Sequence, residues 1–281
     1  MKIRRKTGLS LLALTLAVVP LTLTACTADG GGSSAAAGAS TSNTLQQVIK
    51  RGTLRVAVLP DFPPSSVKQP DGKIVGYEPD IAAALAKSLG VTLDLVSIDG
   101  TARLSVMQSK RADVNISSYT ATNQRAQQVA FTIPYKAQGA GVLFRKSNPI
   151  TSLKDLDGKT VAVARGSTND TIITNNFPKA KPVRFDNIAD ALQALKSGKT
   201  DAAMEESTTV KDITKKNPDL ATLNIPPIDP DLISMGVLPD QQIWLNYLNN
   251  FIRNLIASGQ DAQLYQKWFH EDLPAIITNQ P

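Results

Sequence analysis

Few residues in this 281-residue sequence could carry covalent or metal chemistry. It has one cysteine, Cys26, and one histidine, His270. Neither a nucleophilic triad nor a His/Cys metal site can be assembled from that supply, so no metal or cofactor is expected. The thiol has another use. An apolar stretch from Leu9 to Val19 is followed by Pro20 and then Leu23-Thr24-Ala25-Cys26, with small residues before the cysteine. This reads as a bacterial lipobox, in which the thiol accepts diacylglycerol as a thioether and Cys26 becomes the first residue of the mature chain. An uncleaved membrane anchor is the competing reading, because Thr7 to Ala25 approaches the roughly 20 residues that a spanning helix needs. With no second cysteine there is no intrachain disulfide, and the fold must rest on packing. The remaining chemistry is that of charge and hydrogen bonding. The adjacent acids Glu205-Glu206 read either as a solvated loop or as acidic groups in a cleft.

The elements that must position such groups alternate. The spacing predicts a helix over 44–50, a strand over 54–59 ending at Pro60, and a helix over 79–89 with apolar Ile81, Ala84, Leu85 and Leu89. A strand at 91–98, a helix at 103–109, a strand at 112–117 and a short helix at 123–129 follow. A second series starts with a strand at 142–145. It continues with a strand at 160–164, a helix after Ser167, a strand at 183–185, a helix at 188–197 and a strand at 202–204. Helices at 243–257 and 262–269 close the chain. This is the βα pattern of a mostly parallel sheet, made twice. Ligands in such architectures sit where strand C-termini meet helix N-termini, which draws attention to the loops at Asp61, Ser117, Gly166 and Glu205.

Charge argues against a polyanionic partner. The chain carries 30 Lys+Arg against 24 Asp+Glu, a net of +6. Lys2, Arg4, Arg5 and Lys6 stand ahead of the apolar run, as in an export signal, so residues 1–25 read as a lipoprotein signal peptide. Its removal leaves 26 positive against 24 negative charges, a net of +2. That weakens a nucleic-acid reading. Residues 26–43 read as the lipidated Cys26 and a flexible tether rich in Gly, Ser, Ala and Thr.

Six segments, taken in order, resemble one family. They are Gly76-Tyr77-Glu78-Pro79-Asp80-Ile81, Gln108-Ser109-Lys110-Arg111-Ala112-Asp113, Ser117-Ser118-Tyr119-Thr120 through Arg125, Phe131-Thr132-Ile133-Pro134-Tyr135, Leu153 to Lys159 with Val161-Ala162-Val163, and Tyr265-Gln266-Lys267-Trp268-Phe269. Together they resemble the bacterial extracellular solute-binding proteins of family 3, the substrate-binding lipoproteins of polar amino acid ABC transporters. Pro79 stands where that pattern usually has an aliphatic residue. The resemblance implies an α/β, two-lobed periplasmic-binding-protein-like fold of type II. Each lobe would be a mostly parallel sheet flanked by helices, and two crossover strands would hinge them. Lobe 1 would take 44–141 and 236–281, and lobe 2 would take 142–235. It further implies capture of an amino acid, delivery to ABC permease subunits, a lipid-anchored monomer at the cell envelope facing the periplasm or exterior, and no nucleic-acid partner.

Site residues follow from the same resemblance. Arg125 matches the family's carboxylate-binding arginine, whose guanidinium can donate two parallel hydrogen bonds. Ser167 and Thr168 match the second-lobe loop that meets the same carboxylate at a helix N-terminus, or serve as an ordinary N-cap. Glu206 matches the acid that takes the ammonium, although Asp is usual and Glu205 is an alternative. Ser118 and Thr120 would complete that shell, and Phe62 would form an aromatic wall. Arg103 aligns with a position that contacts the side-chain carboxylate in acidic-amino-acid binders, which favours a polar or acidic side chain on the solute. Leu59 stands where binders of basic amino acids often have Asp. Some dehydratases acting on cyclohexadienyl or arogenate-like substrates share this fold, and an acid at Glu205-Glu206 leaves that alternative open.

Overall fold

The computed structural model describes residues 43–280. The expected signal peptide (1–25), the lipidation site Cys26 and the tether up to residue 42 lie outside the described residues. The body opens with helix α1 (Thr44–Arg51), where Asn43 Oδ1 accepts from the Gln46 amide at 3.0 Å and Gly52 closes the other end at φ 72°. Strand β1 (Thr53–Val58) follows, then three short strands, β2 (Asp61–Phe62), β3 (Ser66–Lys68) and β4 (Ile74–Val75), which form a small antiparallel sheet. Helix α2 (Tyr77–Leu89) starts at Gly76, whose φ of 145° brings it against Ser65; an added Cβ would lie 2.4 Å from the Ser65 carbonyl oxygen.

Next come β5 (Thr92–Ser97), α3 (Arg103–Gln108), β6 (Val114–Asn115), the long β7 (Ala130–Arg145), β8 (Thr160–Ala164), α4 (Thr168–Asn176) and β9 (Lys181–Phe185). The chain continues through α5 (Ile188–Lys196), β10 (Ala202–Glu206), α6 (Ser207–Lys216), β11 (Leu220–Thr222), β12 (Ile228–Val237), α7 (Gln242–Ala257), α8 (Gln260–Phe269) and α9 (Ala275–Thr278). The main sheet has the order β5-β1-β6-β12-β7-β10-β8-β9, with β11 also on β7. At one end β1 is parallel to β5 and β6, and at the other β8 is parallel to β9 and β10. The central strands β7 and β12 are antiparallel to each other and to their flanking neighbours. This is the expected two-lobed fold, with β7 and β12 crossing between the lobes.

Each lobe has its own core. In the first, the stripe of α2 (Ile81, Leu85) meets Val56 of β1, Met235 of β12, and Trp244 and Leu248 of α7. Trp244 is fully buried, and its indole N–H donates to the Asp113 carbonyl at 2.9 Å. In the second lobe one sheet face packs Val161 and Met204 on Ile172 and Ile173 of α4, while the other packs Leu143 and Ala203 on Ala191 and Leu195 of α5. A further cluster holds Ala57, Leu59 and Phe62 together with Ile188 at the start of α5, so apolar contact reaches across the cleft.

Three sequence expectations differ from the structure. The strand at 112–117 shrinks to Val114–Asn115, because Ser118 turns out of the ladder at φ 46° to reach Glu78. The helix at 123–129 is a single 3-10 turn, Arg125–Gln127, since the chain enters β7 at Ala130. Strand β7 begins well before the expected 142–145 and runs through Pro134. Proline cannot donate to a ladder, and the β7–β12 register shifts on both sides of the Pro134–Ser234 pair.

Candidate functional site: the cleft between the lobes

The cleft forms where β1, β8 and β10 end and where α4 and α5 begin. Phe62, Arg103, Ser118, Thr120, Arg125, Ser167, Thr168 and Glu206 all line it, and Asp61, Asp99 and Glu205 join them. The topology therefore gathers residues from both lobes, Asp61 and Glu206 among them, that lie 145 positions apart in the chain.

Arg125 sits on the 3-10 turn, where its amide donates to Thr122 Oγ1 at 3.2 Å. Its Nη1 donates to the Thr120 carbonyl at 3.0 Å, and its Nη2 reaches across the cleft to the Gly166 carbonyl, also at 3.0 Å. The guanidinium carbon lies 5.0 Å from the centre of the Tyr119 ring. Burial lowers the Arg125 pKa from its ordinary value.

Opposite Arg125, Ser167 caps α4 by accepting from the Asp170 amide at 3.1 Å. Thr168 Oγ1 donates to Asp231 Oδ2 at 2.6 Å, and Thr120 Oγ1 donates to the same oxygen at 3.2 Å. Asp231, on β12, was not singled out by sequence. It ties one hydroxyl from each lobe to a crossing strand. Burial raises its pKa, against the pull of those two hydroxyl donors.

Behind Ser118 lies a buried polar network that the sequence did not reveal. Lys136 of β7 is fully buried, and its Nζ donates to Ser65 Oγ and Ser118 Oγ at 2.8 Å each and to Glu206 Oε2 at 3.4 Å. Glu78 Oε1 lies 3.8 Å from the same ammonium and accepts from the Ser118 amide (2.6 Å), Ser118 Oγ (2.9 Å) and Tyr135 OH (2.7 Å). A buried lysine persists only with such partners, because an isolated charge out of water is prohibitive. The one sequence signal was a lysine beside Tyr135 in an otherwise apolar, strand-like run. Glu78 looked like an ordinary first-turn acid of α2.

Glu205 and Glu206 are 3% and 7% exposed. Burial is the main reason both carboxyls are raised, each to about 8. For Glu205 the neighbouring acids Glu206 and Asp61 add to the rise, while for Glu206 the Lys136 ammonium opposes it. Arg103 donates through Nε to the Ser117 carbonyl and hydroxyl (3.1 Å each), through Nη2 to the same carbonyl (3.0 Å) and through Nη1 to the Gly100 carbonyl (3.0 Å). Burial, then the nearby Arg125 charge, lowers its pKa to about 10. Asp61 accepts from the amides of Ile188 (3.1 Å) and Ala189 (3.4 Å), capping α5 from the opposite lobe. Phe62 is buried, 5% exposed, with the Lys136 ammonium 6.0 Å from its ring centre.

The cleft thus gathers guanidinium groups, a helix N-terminus and buried carboxyls around one space, an arrangement suited to a small zwitterion. Among the described residues no group of His, Cys, Asp and Glu is placed to hold a metal, and no helix is long and apolar enough to cross a membrane.

Comparison with known proteins agrees with this architecture. The L-cystine-binding protein TcyJ of Escherichia coli is 29% identical over 231 residues, 82% of this chain and 87% of its own. The cyclohexadienyl dehydratase of Pseudomonas aeruginosa is 26% identical over 236 residues, 82% of this chain and 87% of its own. A crystal structure of the P235GK mutant of ArgBP from T. maritima superposes with a TM-score of 0.76 at 34% identity, covering 81% of this chain and all of that one. The family model for bacterial extracellular solute-binding proteins, family 3, matches residues 54–271, and the chain belongs to that family.

Proposed function

We propose that this chain is the substrate-binding component of an ABC importer, closing its lobes on one amino acid and presenting it to the permease. The carrying observation is Arg125, whose guanidinium faces a cross-cleft carbonyl at the N-terminal end of α4 while Glu206 lines the same cleft. In this reading the α-carboxylate takes Arg125 with Ser167 and Thr168, and the α-ammonium takes Glu206 with Ser118 and Thr120. Phe62 covers the aliphatic part. Relatives named for cystine and arginine bind chemically different side chains, so family membership does not choose the solute.

Isothermal titration of the full chain with L-arginine, L-glutamine, L-glutamate and L-cystine tests the reading. Arg125→Ala is expected to weaken the best ligand by ~100-fold or more, the scale of a lost charge-assisted bidentate contact, with an unchanged circular dichroism spectrum. Tight binding by that variant refutes the assignment.

The lipid anchor is proposed from Cys26 and its preceding residues, with the protein a monomer at the envelope surface. Cys26→Ser should move it from the membrane fraction to the soluble fraction. A second reading, a dehydratase on the same fold, is favoured by one observation: a buried carboxyl at Glu205 that holds its proton near neutral pH, as a general acid must. Turnover of a prephenate-like substrate, followed by absorbance, would establish it.

A further inference from the structure

We propose that Glu205, together with Asp61, forms the subsite for the far end of the bound solute, and that this end is a cation, a guanidinium or ammonium side chain. The inference rests on the amino-acid reading above, and it turns from the acidic side chain that Arg103 suggested by its position.

The two adjacent glutamates do different things because a strand alternates its faces. In β10, Ala202 and Met204 pack with Ile172 and Ile173 of α4, whereas Ala203 packs with Ala191 and Leu195 of α5. Glu206 therefore falls on the α4 side, where it meets Lys136. Glu205 falls on the α5 side, toward the helix start that Asp61 caps. The residue lines the cleft, and its Oε1 is buried with no hydrogen-bond partner among the described residues. The charged groups that face it are Glu206 on its own strand, Asp61 from β2 and Arg103 from α3.

The charge balance of this half of the cleft is negative. Asp61 and Asp99 line it against one guanidinium, Arg103, and Glu205 adds a carboxyl that a bound cation can ionise. Three nitrogens of Arg103 already donate to Ser117 and Gly100. At the rim Arg165 and Asp186 pair with each other at 3.0 Å. A solute carboxylate placed here would face the carboxylates of Asp61 and Asp99. An aliphatic end would leave Glu205 Oε1 buried without a donor. An end bearing several N–H groups satisfies it, and a positive end also matches the charge. Phe62 supplies a flat surface over which a guanidinium or a methylene chain can lie.

The raised Glu205 carboxyl adds a signature. In the empty cleft it carries its proton at neutral pH, and a bound cation favours the ionised form. Binding then releases a proton from Glu205 to solvent, while a neutral amide leaves it in place.

Titration calorimetry of the full chain with L-arginine, L-lysine, L-glutamine and L-glutamate at pH 7, in two buffers of different ionisation enthalpy, tests the proposal. Arginine or lysine should bind tightest, releasing close to one proton more than L-glutamine does, since the α-ammonium acts on Glu206 alike in every ligand. Glu205→Gln should abolish that release and weaken the basic ligand by ~10-fold or more while changing L-glutamine by only about 3-fold. Should Glu205→Gln fail to fold, the ligand order and proton count of the unaltered chain still decide. Glutamate or glutamine binding tightest, or a basic ligand releasing no more protons than glutamine, overturns the proposal. If those ligands still lose affinity in Arg125→Ala, the amino-acid reading stands without it; if Arg125→Ala binds unchanged, that reading fails as well.

Discussion

At the scale of single residues, the cleft is dominated by carboxyls that folding has moved out of water. Glu205 and Glu206 are both raised to about 8, from an ordinary value near 4.5. In the folded protein they keep protons that the unfolded chain has already lost, so stability is greatest below about pH 4.5 with respect to these groups. It declines as pH rises through the window up to about 8. The melting temperature of the ligand-free protein should fall across that window, and Glu205→Gln should flatten the fall and melt higher than the parent at pH 8 by roughly 5 °C. A parent melting temperature that rises from pH 5 to 8, with no difference in the variant, would contradict this. Lys136 poses the reverse case. Replacing it with Met leaves Glu78 and Glu206 buried without their cation, which should cost about 3–5 kcal/mol, on the order of 10 °C in thermal melts. None of this was legible from residue types alone. Arg125 and Glu206 could be picked out only through the family resemblance, and Lys136, Glu78 and Asp231 become a group only when β7, α2 and β12 are brought together.

At the scale of elements, periodicity carried furthest where an element has enough apolar positions to show its pattern. Strand 160–164 and the helix starting at Ile188 appear as read: Val161, Ala162 and Val163 form an unbroken buried run, and Ala191 and Leu195 recur on one helix face. The two- and three-residue strands β2, β3 and β4 have too few positions to show any period. Helix α6 escaped notice because Val210 and Ile213 are its only large apolar residues, among Ser, Thr and Lys. Two element-level tests follow. Asp61 caps α5 from the other lobe, so Asp61→Ala should remove about 1 kcal/mol of cap, and the amides of Ile188 and Ala189 should exchange roughly 5-fold faster. Unchanged protection at those amides would show that α5 does not depend on the first lobe. In β7, a Cβ at Gly139 would lie 2.7 Å from the Ile228 carbonyl and 2.8 Å from Pro227 Cβ. Gly139→Ala should therefore push β7 and β12 apart at their crossing and lower the melting temperature by several degrees, whereas Gly158→Ala, with open space around it, bears only the cost of its positive φ.

At the scale of the whole molecule, the question is what holds the two lobes together when nothing is bound. The first core ends along β7 near Ala137 and resumes along β12 at Ile233, while the second claims Ala140 and Ile228. Between them lie Gln138 and Gly139 on one strand and Asp229 to Leu232 on the other, where the register shifts and Asp229 sits at φ 43°. We place the hinge there. Cross-cleft contacts then act on a lever: Arg125 on Gly166, and Asp61 on the start of α5. Each is worth about 1 kcal/mol net, so losing both shifts the open–closed balance by about 2 kcal/mol, roughly thirtyfold. A double variant, Asp61→Ala with Arg125→Ala, should show a larger radius of gyration in small-angle scattering than the parent, both without ligand. The same curve for both would mean that the apolar cluster of Leu59, Phe62 and Ile188 closes the cleft without help from its polar contacts. In that case closure would be set by packing, and solute selection would rest on the charges alone.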